Sequence, residues 1–283
     1  MTSKPSWDEI QDRQISDALK QIDGHDDDES PVVRLMSFSD DLIGEKHLTN
    51  AIAVFRRTQD FSVFDVGFGR GRLLAQIGGH FPNARLGGID DNDDSMERAR
   101  VLVPRADLVK GPYRSAGGQH DFVVCSQVYE HVADTEDLLD ALFDLTKPGG
   151  YISLSTPSGW TYRRPRLGNI YHAVSNWDFY WRVRLNPEKN WAMALPHHPS
   201  IQPSKLIRRI EARGGEIVAR RSAMWLTRVG SPLFRVCNAV GGVRGALLAR
   251  SILVLLDAAM NAIPGMFIFE SQFVLLVRKP LAP

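Results

Sequence analysis

Apolar positions along this chain switch repeatedly between two spacings. Short, almost continuous apolar runs alternate with stretches in which apolar residues return every three or four positions. The first pattern marks buried strands and the second marks amphipathic helices. A helix is predicted over 45–57, with Leu48, Ile52 and Phe55 on one face. The run 61–66 reads as the first strand, and 72–77 as a helix stopped by Gly78 and Gly79. A second strand is expected at 86–90, a helix at 95–103 closed by Pro104, and a short third strand at 106–110. Residues 121–125 are apolar after Asp121, as expected of a strand buried on both faces. Asp134 can cap a helix whose Leu138, Leu142 and Leu145 share a face, with acids in its first turn. Lys147, Pro148, Gly149 and Gly150 then stop that helix before a fifth strand at 151–155. Strands alternating with helices at this spacing predict an α/β fold, a doubly wound and mostly parallel sheet.

Three stretches break the rhythm. Residues 1–30 are polar and end in an acidic run from Asp23 to Glu29, which reads as a solvated tail ahead of one domain over 31–283. Residues 157–200 hold most of the tryptophans (Trp160, Trp177, Trp181, Trp191) with Arg163, Arg164, Arg166, Arg182 and Arg184. They read either as a cap over a cleft, with aromatic walls for a flat or apolar ligand and arginines for its carboxylate or phosphate, or as a packed cap whose arginines snorkel to water. The rhythm returns with a helix at 204–213, a strand from 216 and a closing strand at 270–278. Between them, 226–265 is an apolar insertion, helical at 244–261, for which core packing is the leading reading. A lipid-like pocket wall, a homodimer interface or peripheral contact with a membrane surface remain open to it.

Composition narrows the setting more than the chemistry. The chain has 283 residues, 43% hydrophobic and 24% charged, which suits one large globular domain. A net charge of +1 gives no reason to expect nucleic acid. Two cysteines, Cys125 and Cys237, exclude a disulfide framework and suit a reducing, cytoplasmic setting. The acidic start does not read as a signal peptide, and the apolar run 251–263, broken by Asp257 and Asn261, is too short to span a bilayer.

Candidate chemistry concentrates where the first strand ends. Asp65 is followed by Gly67, Phe68, Gly69, Arg70 and Gly71, and then by the next helix. Alternate glycines permit positive φ and let a ligand approach the backbone, while the helix start offers free N–H groups. Asp90 closes the second strand roughly 20 residues on, a place from which a carboxylate accepts hydrogen bonds from ribose hydroxyls.

These residues, with Asp91, Met96 and Ala99 beyond them, resemble the class I S-adenosylmethionine-dependent methyltransferases. The likeness continues through the stretch 121–132, which includes Ser126, Gln127, Glu130 and His131, and through 145–157. Within that class the chain is most similar to small-molecule methyltransferases of the ubiquinone O-methyltransferase type. The resemblance implies a seven-stranded, Rossmann-like sheet with a reversed last strand. It implies S-adenosyl-L-methionine as cofactor, with Asp65, Gly67, Phe68, Gly69, Gly71, Asp90, Asp91, Ser126 and Gln127 around it. Glu130 and His131 become the candidate catalytic pair, and His197 and His198 are further candidate bases. Some relatives bind a divalent cation through Glu-x-x-Glu-His at this place. Here Gln127 replaces the first carboxylate, which weakens a site for a hard cation, so no metal is assigned. The acid that many relatives carry after the third strand is missing from 109–113.

The expected activity is methyl transfer to a small-molecule acceptor, with oxygen favoured as the nucleophile. Transfer needs the nucleophile held in line with the methyl carbon, and a hydroxyl nucleophile also needs a base, a task suited to His131. An RNA methyltransferase and a non-catalytic cofactor-binding partner protein are the competing readings. A nicotinamide dehydrogenase is disfavoured, because Arg72 stands where its fingerprint needs the third glycine.

Overall fold

The strands form where the sequence supplies β-branched and aromatic runs between glycines and prolines, and they pair into one seven-stranded sheet. The computed structural model describes residues 31–157, 201–223 and 272–281, with single residues between 237 and 259. The tail 1–30, the cap after residue 157, His197 and His198, and most of the 226–265 insertion lie outside the described residues. Within the insertion, Gly245, Leu248, Ala249, Ser251, Ile252, Leu255, Leu256 and Ala259 are helical, as expected.

In chain order the described elements are α1 (Pro31–Val54), β1 (Ser62–Val66), α2 (Arg72–His80), β2 (Arg85–Asp90), α3 (Asp93–Leu102) and β3 (Asp107–Lys110). There follow β4 (His120–Ser126), α4 (Thr135–Asp144), β5 (Thr146–Pro157), α5 (Pro203–Ala212), β6 (Glu216–Ala223) and β7 (Gln272–Arg278). The strand order is β3-β2-β1-β4-β5-β7-β6. Strands β1 to β5 run parallel, and β7 lies antiparallel to both β5 and β6. The predicted α/β class and the reversed last strand are both present.

Two apolar layers sandwich this sheet. Val63, Leu86, Phe122, Val124 and Leu276 pack against α1, α2 and α3 through Ala51, Leu74, Ile77, Met96 and Ala99. Phe64, Val66, Val123, Ile152, Leu154 and Leu275 pack on the other face against Leu138, Leu142, Leu206 and Ile210 of α4 and α5. Neighbouring strand residues fall on opposite faces, as the two-residue period requires.

Three local readings change. Helix α2 runs through Gly78 and Gly79 instead of stopping at them. A Cβ on Gly78 would stand 2.7 Å from Leu86 Cδ1 and 2.8 Å from Arg105 Nη2, so this glycine serves close helix–strand packing. Helix α1 begins at Pro31, well before residue 45; proline is tolerated in a first turn, where its missing N–H has no partner to lose. Strand β5 starts at Thr146, because the 147–150 segment already pairs toward its neighbours: Gly149 N–H donates to Lys279 O at 3.1 Å. The Asp134 cap is as read, with Oδ1 accepting from Glu136 N and Asp137 N at 3.0 Å each.

Strand order reverses about β1 and β4, whose sequence neighbours lie on opposite sides. In open α/β sheets the crevice beyond the carboxyl ends of such strands receives the ligand. Val66 and Ser126 end those two strands, so the glycine turn and residues 127–131 rim that crevice.

Candidate active site

The glycine turn is held in place by backbone chemistry. Gly67, Gly69 and Gly71 have φ of 76°, 53° and 78°, in the left-handed region that glycine occupies without a Cβ penalty. Gly67 N–H donates to Ile89 O at 2.8 Å, and Gly71 N–H to Phe68 O at 2.9 Å. A Cβ on Gly67 would lie 2.3 Å from Val128 Cγ2, whereas one on Gly69 meets nothing within 4 Å. Gly67 is therefore tight against the β4 loop, and Gly69 borders open space at the mouth of the crevice. Phe68, 4% exposed, turns into the core, so its side of the turn offers backbone only.

Two carboxylates bracket this turn. Asp90 Oδ2 accepts from Gly69 N at 2.8 Å and Oδ1 from Asn92 N at 2.9 Å. Each oxygen keeps a lone pair for a further donor. Asp91 beside it is exposed. Asp65, on β1, is 1% exposed and its Oδ1 has no hydrogen-bond partner. Burial, reinforced by the charge of Asp90, pushes the Asp65 carboxyl up to about 8. A buried carboxyl oxygen without a partner is costly in the protein alone.

The β4 end provides the second wall. Gln127 has φ of 58°, the one non-glycine residue with positive φ among the described residues. Such a conformation costs energy and persists only where the surroundings impose it. Here Gln127 N–H donates to Ser155 O at 3.2 Å and its side-chain amide to Ser155 Oγ at 3.1 Å. Ser126 Oγ lies 3.3 Å from the same Ser155 Oγ. The amide thus acts as a donor, which a carboxylate at this position could not do.

Glu130 and His131 are brought to the crevice rim but differ in access. Glu130 is 3% exposed, accepts from Thr156 Oγ1 at 3.0 Å, and is raised by burial to about 7. Thr156 shares a face of β5 with Ile152 and Leu154, which pack toward α4 and α5, so Glu130 leans away from the Asp65 face. His131 is half-buried, with its backbone N–H donating to Val128 O at 2.9 Å. Among the described residues no group of three or more His, Cys, Asp or Glu side chains is arranged to hold a metal ion.

Sequence reasoning missed Ser155, which joins Ser126 and Gln127. Its sequence signal was the alternation of Ser153 and Ser155 with Ile152 and Leu154 along one strand. After β3, the acid-free segment holds Lys110, which pairs with Asp93, and Tyr113, which donates to Asp137 at 2.7 Å.

The structure thus brings together a crevice at a sheet switch point, a left-handed glycine turn and an acid at each end of that turn. The model of the methyltransferase domain family matches residues 9–220, and the chain belongs to that family. Among curated relatives, the ubiquinone biosynthesis O-methyltransferase of Shewanella pealeana is 32% identical over 108 residues, covering 33% of this chain and 42% of that protein. The Acinetobacter baylyi protein of the same name is 27% identical over 161 residues, 54% of this chain and 62% of that one. A trans-aconitate 2-methyltransferase of Methylobacterium radiotolerans is 28% identical over 115 residues, 40% and 44% of the two chains. The matches thus span less than two thirds of these relatives' length.

Solved structures agree on the fold. The plantazolicin methyltransferase BpumL, in complex with a triazolic desmethylPZN analog and SAH, superposes with a TM-score of 0.53 at 13% identity, over 97% of this chain and 100% of that one. An S-adenosylmethionine-dependent methyltransferase from Mesorhizobium loti gives 0.53 at 14% identity, over 84% and 98%.

Proposed function

We propose that this chain is an S-adenosylmethionine-dependent methyltransferase acting on a small-molecule acceptor, with oxygen the favoured nucleophile. The observation that carries this reading is the bracketed turn: unpartnered Asp65 Oδ1 and Asp90, with open backbone at Gly69. The residues present fit the cofactor. Asp90 keeps acceptor capacity for ribose hydroxyls, Gly69 leaves room for close approach, and Asp65 meets an ammonium. When bound, S-adenosylmethionine supplies a methyl group already activated on a sulfonium.

The chain's own work is to hold and orient. Asp90 is itself fixed by Gly69 and Asn92, so it presents its free lone pairs without reorganising. Ser126 and Gln127, held by buried Ser155, offer polar groups to the cofactor from the β4 side. His131 takes the proton of a hydroxyl acceptor, while buried Glu130 shapes the loop that carries it. The relatives' names, ubiquinone biosynthesis O-methyltransferase among them, support the small-molecule acceptor and the oxygen preference.

The domain is taken to run over 31–283, with a cap at 157–200 over the crevice. Free Cys125 and Cys237 support a cytoplasmic setting, and no helix among the described residues is long and apolar enough to cross a membrane. The exposed Leu248, Leu255 and Leu256 support reading the 226–265 segment as a contact surface, for a second copy of the chain or a membrane.

Calorimetry with S-adenosylmethionine tests the reading. Wild type is expected to bind, and Asp90→Ala to lose most of the affinity; unchanged affinity sinks the ribose assignment. Transfer of labelled methyl to no member of a broad hydroxyl-acceptor panel, despite tight binding, counts against the activity.

A further inference from the structure

We propose that Asp65 recognises the ligand by proton exchange: its carboxyl is protonated in the empty crevice and gives up that proton when an ammonium docks against it. The proposal rests on the cofactor reading above and concerns how that same site selects its ligand and responds to pH.

The geometry comes first. Asp65 pairs through its backbone with Gly88 of β2 and Val124 of β4, so its side chain stands in the middle of the sheet's upper edge. It shares a face with Val63 and lies against Gly88, whose missing Cβ would stand 3.5 Å from Asp65 Cβ. Phe68 closes the same side, with Cδ1 3.0 Å from that missing Cβ. The side chain is therefore walled by apolar groups and backbone, with one unpartnered oxygen.

The ionisable neighbours are all acidic. Asp90 acts on Asp65 from the end of β2. Burial holds the Cys125 thiol of β4 well above its ordinary value, and the charges of Asp65 and Glu130 add to that. Among the described residues no Lys, Arg or His pairs with Asp65. Two interacting carboxylates in an apolar setting do not readily ionise together. Asp65 Oδ1 has no donor to steady a charge, so burial, with the Asp90 carboxylate beside it, keeps the proton on Asp65. A cation reverses that preference, because the ion pair forms in a site from which water is already excluded.

In balance, the neutral carboxyl and the incoming ammonium become a carboxylate–ammonium pair plus one proton released to buffer. Below the Asp65 value of about 8 binding releases a proton. Well above it the carboxylate is already charged, while the free ligand's amine, ordinarily near about 8, must take a proton up. The direction of proton flow reverses across that range.

The experiment is calorimetry of the full chain with S-adenosylhomocysteine, in buffers of different ionisation enthalpy, from pH 6 to 9.5. Adenosine, which lacks the ammonium, is the comparison ligand. The proposal expects release of about one proton per S-adenosylhomocysteine at pH 7, passing to uptake at the alkaline end. Adenosine should show no such exchange. Asp65→Asn should abolish the release and weaken S-adenosylhomocysteine by about tenfold to a hundredfold, the range for a charged hydrogen bond, while adenosine affinity stays within about twofold. Tight binding without proton release overturns the proposal and leaves the cofactor reading standing. Equal release with adenosine also overturns it, since the proton then comes from elsewhere, and this arm decides even where Asp65→Asn does not fold. Failure of wild type to bind either ligand overturns the cofactor reading itself.

Discussion

Asp65, Glu130 and His47 each sit where burial has suppressed a charge. Asp65 is raised to about 8 and Glu130 to about 7, while buried His47 is lowered to about 3. The signs are opposite in effect. A carboxyl whose folded value is raised binds more protons folded than unfolded, so its contribution to stability is full below the unfolded value near 4. That contribution is lost as pH rises through 8 for Asp65 and 7 for Glu130. His47 binds fewer protons folded than unfolded between 3 and 6.5, so its contribution is lost as pH falls through that window. Asp65→Asn removes the alkaline penalty. Urea unfolding of the ligand-free chain at pH 5.5 and 8.5 should show a smaller drop in stability for the variant than for wild type. An equal drop would mean Asp65 ionises freely in the folded protein. Asp65 and Asp90 were both legible in the sequence, since strand ends and glycine spacing locate them. The raised value of Asp65 was not, because it depends on how completely the fold buries its carboxyl and leaves Oδ1 without a donor.

At the scale of the element, the glycine turn separates packing from ligand access, and two substitutions read them apart. Gly67→Ala forces a Cβ to 2.3 Å from Val128 Cγ2 at φ +76°, and should destabilise the fold by roughly 1–3 kcal/mol. Adding Val128→Ala removes the clash and should recover part of that loss, leaving about 1–2 kcal/mol for the left-handed backbone. Gly69→Ala carries only the backbone cost, yet its Cβ enters the open mouth of the crevice and should weaken S-adenosylhomocysteine binding several-fold. Thermal unfolding and calorimetry on the three variants check this. Full additivity of Gly67→Ala and Val128→Ala would sever the contact between turn and loop. The turn itself stood out in the sequence because alternate glycines have few other uses at a strand end. The extent of α2 did not, since Gly78 and Gly79 read as a stop until Leu86 and Arg105 are seen filling the space beside Gly78. The strained Gln127 was equally hidden: glutamine gives no local signal for positive φ, which here follows from two bonds to Ser155 on a separate strand.

Across the whole molecule, one buried polar chain ties the first helix to the last strands of the fold. Arg221 Nε of β6 donates to Asn50 Oδ1 at 2.8 Å, and Asn50 Nδ2 donates to Ser153 Oγ at 2.9 Å. Ser153 Oγ lies 2.7 Å from His47 Nδ1. Ser153 Oγ thus serves both as acceptor for Asn50 and as hydrogen-bond partner of buried His47. The partners are separated by 106 residues from His47 to Ser153 and 171 from Asn50 to Arg221, so no local pattern foretells the chain. Helical periodicity reveals only that α1 has a buried face. Ser153 sits two residues before Ser155 on the same face of β5, so the chain joins the anchoring of α1 to the wall formed with Ser126 and Gln127. Ser153→Ala leaves buried Asn50 Nδ2 and His47 Nδ1 without their shared partner. The loss of stability should be about 1–3 kcal/mol, with Tm lower by a few degrees. Ser153→Thr keeps the hydroxyl and should recover more of it than Ser153→Val, which has the same shape without the oxygen. Equal stability of the Thr and Val variants would show that the site reads volume alone and that the polar chain does not anchor α1.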